Sequence, residues 1–150
     1  MQDPSIMPEK ITALLDSEGA TDIDISGYAP MTGGYSRLMA RFEAKFTIDG
    51  EQEEGTFVLR GDPPEGQAII ETDRSQEYAV LKSVAPHLNT PPARFLDSKG
   101  IHIGTPALIL EFTEAESTLP WIEKNGISDL PLKLAELAGA MHTIPVDQLP

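Results

Sequence analysis

From Leu38 to Ile48 apolar and polar residues alternate almost without a break. Leu38, Ala40, Phe42, Ala44, Phe46 and Ile48 fall on one side, and Arg37, Met39, Arg41, Glu43, Lys45 and Thr47 on the other. A period of two over that length is the mark of a strand with one buried face. "DGEQEEG" follows as a turn containing Asp49-Gly50. "TFVLR" then returns, so residues 37–60 are expected to form an antiparallel hairpin. Upstream, "PEKITALLDSEG" places Ile11, Leu14 and Leu15 on one face at helical spacing, with Gly19 suited to the C-terminal stop. "TDIDISGYAPM" alternates weakly and reads as a strand.

Beyond the hairpin, two prolines and two glycines make "GDPPEGQ" a loop. A helix is expected from about Ile69 to Val84, with Tyr78, Leu81 and Val84 on one side and Pro86 as its stop. "ARFLD" and "GIHIG" look like short strands around Asp97-Ser98-Lys99-Gly100, and the apolar run "PALILEF" suits a strand buried on both faces. "LPWIEKNG" reads as a short helix. "DLPLKLAELAGAMHTI" reads as a longer one, with an apolar stripe of Leu130, Leu134, Leu137, Ala138 and Met141 and with Pro131 in its first turn. The order of elements implies an α+β fold, a mainly antiparallel sheet with one inserted helix.

Composition narrows the function classes. The 150 residues suffice for one domain with its own core. Acidic residues number 24 against 11 basic, a formal charge of −13, which opposes binding to nucleic acid phosphates and could attract a cationic ligand. No run approaches the roughly 18 apolar residues of a membrane helix, and "MQDPSIMPEK" lacks the basic start and apolar run of a secretory signal. Neither nucleic acid nor membrane is therefore expected as a partner, and a cytoplasmic location is the default. With no cysteine, disulfides and thiolate metal sites are excluded.

Candidate chemistry begins at "MTGGYSRLMARF", where Gly33 and Gly34 precede the alternating strand. They could make a tight turn, or let a backbone approach a phosphate closely. Further on, Arg60 ends the returning strand, Glu77 lies on the inserted helix, and Glu111-Phe112-Thr113 follow the apolar strand. Gly33-Gly34-Tyr35-Ser36, "FVLRGDPPEG", "SQEYAVLKSV", "GTPALILEF" and "LAELAGAMHTI", in that order, resemble the N-terminal lobe of a kinase-like fold, and more narrowly the aminoglycoside phosphotransferase family. The resemblance runs from about residue 20 to 146. It implies a nucleotide-binding lobe over residues 1–113, then a hinge and the first helices of a truncated C-terminal lobe over 114–150.

The resemblance also implies roles. Gly33, Gly34, Tyr35 and Ser36 would cover the phosphates of ATP. Arg60, where relatives often have lysine, would contact them and be held by Glu77. Backbone groups at Glu111, Phe112 and Thr113 would recognise the adenine. Each has an ordinary alternative: Tyr35 packed on the hairpin, Arg60 facing solvent on an edge strand, Glu77 and Glu111 as surface carboxylates, and Leu59 and Leu110 as core residues instead of an adenine lining. Arginine's planar fork also prefers a geometry unlike lysine's point charge.

Phosphoryl transfer further needs a positioning aspartate and acids for Mg²⁺. None of His87, His102 or His142 is followed by aspartate two residues later. No catalytic residue is therefore assigned here; the catalytic loop and the Mg²⁺ ligands are expected beyond Pro150, and the fragment alone is expected to be inactive. The histidines lack ligand spacing for a metal, and His142 reads as a packed helix residue. The expected function is the ATP-binding part of a kinase that phosphorylates a small-molecule hydroxyl of unknown identity. The alternative is a non-catalytic module that binds a protein. With its partner surface missing, the 130–144 helix is expected to self-associate.

Overall fold

The computed structural model describes residues 4–31, 38–63, 73–115 and 117–150. Among them are one five-stranded antiparallel sheet and four α-helices, the α+β class expected. Helix α1 (Met7–Ser17) precedes β1 (Thr21–Pro30), β2 (Leu38–Ile48) and β3 (Glu51–Gly61). Helix α2 (Arg74–Val84) is inserted before β4 (Ala93–Asp97) and β5 (Ala107–Glu111), and α3 (Thr118–Asn125) and α4 (Leu130–His142) follow. The strand order is β1-β2-β3-β5-β4. No helix among the described residues is long and apolar enough to cross a membrane.

The period-two pattern of β2 meets its counterpart in β3 residue for residue, from Leu38 opposite Gly61 to Ile48 opposite Glu51. The connecting turn is shorter than "DGEQEEG" implied. Asp49 and Gly50 alone make it, with φ of 53° and 82°, and Glu51 already belongs to β3. Two successive positive φ angles match the right-handed twist of the flanking strands, so the ladder can start at once.

One face of the sheet carries most of the core. Met7, Ile11, Leu14 and Leu15 of α1 pack with Phe42, Phe46, Phe57, Leu59, Phe95 and Ile109, all buried. Phe42 stacks on Phe57 at 5.8 Å, and Phe46 meets Phe95 edge to face at 5.7 Å. The opposite face is only partly covered. There α2 sets Tyr78 and Leu81 on Ala93, Leu96, Leu108 and Leu110. Leu59 and Leu110 are thus core residues, one on each face.

Three further expectations need correction. "GIHIG" is a turn, not a strand. Asp97, 4% exposed, accepts the backbone N–H groups of Ile101, His102 and Ile103 at 2.8 Å each, so this segment wraps its own carboxylate. Helix α2 starts at Arg74 and not near Ile69, because Asp73 is extended (φ −88°, ψ 110°) and caps the helix by accepting from Ser75 and Gln76; residues 69–72 lie outside the described ones. His142 is exposed instead of packed, because α4 buries none of its residues.

Candidate functional site

Alternation along β3 decides which side chains can meet. Phe57 and Leu59 face the α1 core, so Val58 and Arg60 point to the α2 face. In register, Arg60 is flanked by Met39 of β2 and Leu108 of β5. The first turn of α2 delivers Glu77 to the same place. Arg60 Nη1 lies 2.7 Å from Glu77 Oε1, with the two side chains 31% and 21% exposed. This pair joins the end of a central strand to the inserted helix. Charge attraction at that depth is screened less than at an open surface.

The pair is half of a larger cluster. Arg74, whose side chain is 1% exposed, binds the other oxygen of Glu77 and also reaches Asp62, just beyond β3. Asp62 is itself anchored to the segment before β5, donating its N–H to Pro106 O and accepting from Thr105 Oγ1. Among the described residues, two arginines and two carboxylates therefore make a chain, Arg60–Glu77–Arg74–Asp62. The sequence reading missed Arg74 and Asp62. A signal was present: a cation in the first turn of a helix opposes the positive end of the helix dipole and is disfavoured unless something local requires it.

Glu111, Phe112 and Thr113 fall elsewhere. Glu111 is opposite Phe57 in register, hence on the other face from Arg60. Its carboxylate accepts from Arg94 Nη1 at 2.6 Å, and Glu53 accepts from Arg94 Nη2 at 2.6 Å, so Arg94 ties β4, β5 and β3 together. Burial works against the charged guanidinium. The hydrogen bonds and charges of Glu111 and Glu53 outweigh it and raise the Arg94 pKa above its ordinary value. An open pocket of about 280 Å³ lies here, lined by Glu53, Thr56, Arg94, Glu111 and Phe112 among others. The N–H of Glu111 donates to Pro92 O and that of Phe112 to Thr56 O, so both are engaged within the fold.

Phe112 returns to the α2 face by alternation. Its ring lies 4.6 Å from the guanidinium carbon of Arg41. Between Phe112 and Arg60 runs the row Arg41, Val58 and Leu110. Four residues of strand rise separate the Phe112 and Arg60 rows, about 13 Å. Over β2 and β3 this face carries Val58, buried, at its centre and Arg60–Glu77 at one end. Thr113 is half-buried at the strand's end. Gly33, Gly34, Tyr35 and Ser36 lie outside the described residues. The structure thus brings Arg60 and Glu77 together and sets Glu111 apart from them.

Among the described residues, no group of three or more histidines and acids is placed to hold a metal ion. Neither the protein-family models nor the curated proteins yield a match to this chain.

Proposed function

We propose that this chain is the nucleotide-binding part of an ATP-dependent small-molecule kinase of the aminoglycoside phosphotransferase kind. The observation that carries the reading is the Arg60–Glu77 ion pair, which joins the last turn of a central strand to the helix inserted after it. A polyphosphate needs a fixed cation whose direction is set before the ligand arrives. A guanidinium carries five N–H donors in a planar fork, a geometry that suits phosphate oxygens. The element order supports the same reading. The segment with Gly33 and Gly34 joins β1 to β2, Arg60 ends β3, Glu77 follows on α2, and two strands lead to Glu111.

On this reading a nucleotide lies along the row from Arg60 to Phe112, with phosphates toward Arg60 and the base toward Phe112. With the N–H groups of Glu111 and Phe112 already engaged, base recognition falls to carbonyl groups and to Thr113. The acceptor is a hydroxyl compound of unassigned identity, and Mg²⁺ would accompany the nucleotide. Helix α4, none of whose residues is buried, favours a second reading, a protein-binding module that kept the same lobe shape.

The test is a titration of the full chain with ATP. Arg60→Ala removes the cation and is expected to weaken binding by roughly tenfold or more, the worth of a charge-assisted hydrogen bond. Gly34→Val is expected to weaken it too, by keeping the backbone from the phosphates. ATP affinity unchanged in both variants would discard the nucleotide reading and leave the protein-binding module.

A further inference from the structure

Arg74 is the most completely buried charged side chain described, at 1% exposure, and the phosphate-binding reading gives it no task. Its placement is doubly unfavourable. Burial removes the guanidinium from water, and the first turn of α2 sets it against the positive end of the helix. Buried ion pairs of this kind can often be replaced by apolar residues without loss of stability, so stability alone is a weak reason for its presence. What distinguishes Arg74 is what it joins. One Nη reaches Asp62, just past the end of β3, and the other reaches the Glu77 oxygen that Arg60 does not use.

We infer that Arg74 is a positioning residue for Arg60. Resting on the nucleotide reading above, the inference assigns it one effect: it fixes Glu77. A glutamate near a helix surface has several rotamers, and an ion pair to a second, immobile guanidinium selects one of them. Because Arg74 is also tied to Asp62, that rotamer is referred to the end of β3, the strand that carries Arg60. The Arg60–Glu77 pair then exists before any ligand binds and does not depend on α2 moving inward.

The test uses the full chain and two readouts. One is the ¹⁵N signal of the Arg60 guanidinium, whose rotation is hindered while a carboxylate holds it. The other is the affinity for ATP without added metal. In Arg74→Met, which keeps bulk and loses charge, the Arg60 guanidinium is expected to rotate faster than in the wild type and ATP affinity to fall by roughly tenfold. Arg74→Lys, which can satisfy only one carboxylate at a time, is expected to fall between, and it carries the test should the methionine variant not fold. A merely structural Arg74 would lower the melting temperature and leave Arg60 restrained. A folded variant with Arg60 still hindered and affinity unchanged overturns the inference. The two readings fail separately. If the wild type binds no ATP yet Arg60 is released in Arg74→Met, the positioning role stands and the nucleotide reading falls. If ATP binding needs Arg60 but ignores both Arg74 variants, the reverse holds.

Discussion

Helices α1 and α4 are of similar length and each carries an apolar stripe, yet one is wholly absorbed by the fold and the other is not. Met7, Ile11, Leu14 and Leu15 of α1 are at most 1% exposed, whereas Leu134, Leu137 and Met141 of α4 are each more than half exposed. The difference is not in the helices. It lies in whether a complementary surface faces them. The alternating strands β2 and β3 present Phe42, Phe46 and Phe57 to α1. Among the described residues, nothing comparable faces α4. Since most helical stability in proteins comes from packing one face and little from propensity, the two regions should answer differently to the same kind of substitution.

The largest contrast is expected from truncating a large side chain in each. Phe42→Ala removes a fully buried ring from the aromatic stack and should cost about 3 to 5 kcal/mol. Leu137→Ala removes a side chain that is 51% exposed and should stay within about 0.5 kcal/mol. Urea unfolding of both variants checks this. A similar loss in the two would mean that α4 is covered in solution by something it does not touch in this structure.

A glycine pair sharpens the comparison at lower cost. Gly100 has φ of +67°, and a Cβ there would lie 2.5 to 2.7 Å from the backbone of Thr105. Gly100→Ala therefore meets both an unfavourable backbone region and a wall that cannot yield, with an expected loss of at least roughly 2 kcal/mol. Gly139, inside α4, would place its Cβ in open space. Gly139→Ala should raise helix stability by about 0.5 to 1 kcal/mol. Thermal melts, with helix content read by circular dichroism, separate the opposite signs.

What was legible in the sequence follows the same division. Alternation located β2 and α1's spacing located its buried stripe, because both patterns are imposed by a surface on the other side. "GIHIG" misled because its alternation is real but local: one carboxylate, Asp97, captures three successive N–H groups and turns the chain. The start of α2 was misplaced because Ile69 and Ile70 extend the apolar pattern past a cap, Asp73, that ends the helix regardless of hydrophobicity. At the site, the meeting of Arg60 with Glu77 was an implication of the family resemblance, since no periodicity relates a strand end to a helix turn 17 residues later. Arg74 and Asp62 escaped because a buried charge pair leaves no pattern in one chain; only the awkward place of an arginine in a first helical turn marked it.

The smallest effect on folding, and the most direct probe of the uncovered region, is expected from charging the α4 stripe. Leu134 and Met141 lie seven residues apart, two turns along one face, and Leu137 sits between them. Each is more than half exposed, so glutamates at both positions remove little buried contact and should change the stability of a monomer by less than about 1 kcal/mol. Association should respond strongly. Large apolar patches rarely remain uncovered on monomers, and pairing with the same helix of a second copy covers the stripe in a two-fold arrangement that closes on itself. The wild-type chain is accordingly expected to self-associate through residues 130–144 as concentration rises, and Leu134→Glu with Met141→Glu to remain monomeric. Sedimentation across a concentration series reads both. A wild type that stays monomeric would set this proposal aside, and so would a dimer indifferent to the two glutamates. In the second case the contact lies elsewhere, and the exposed apolar residues outside α4, such as Ile101, Leu119 and Ile127, become the place to look.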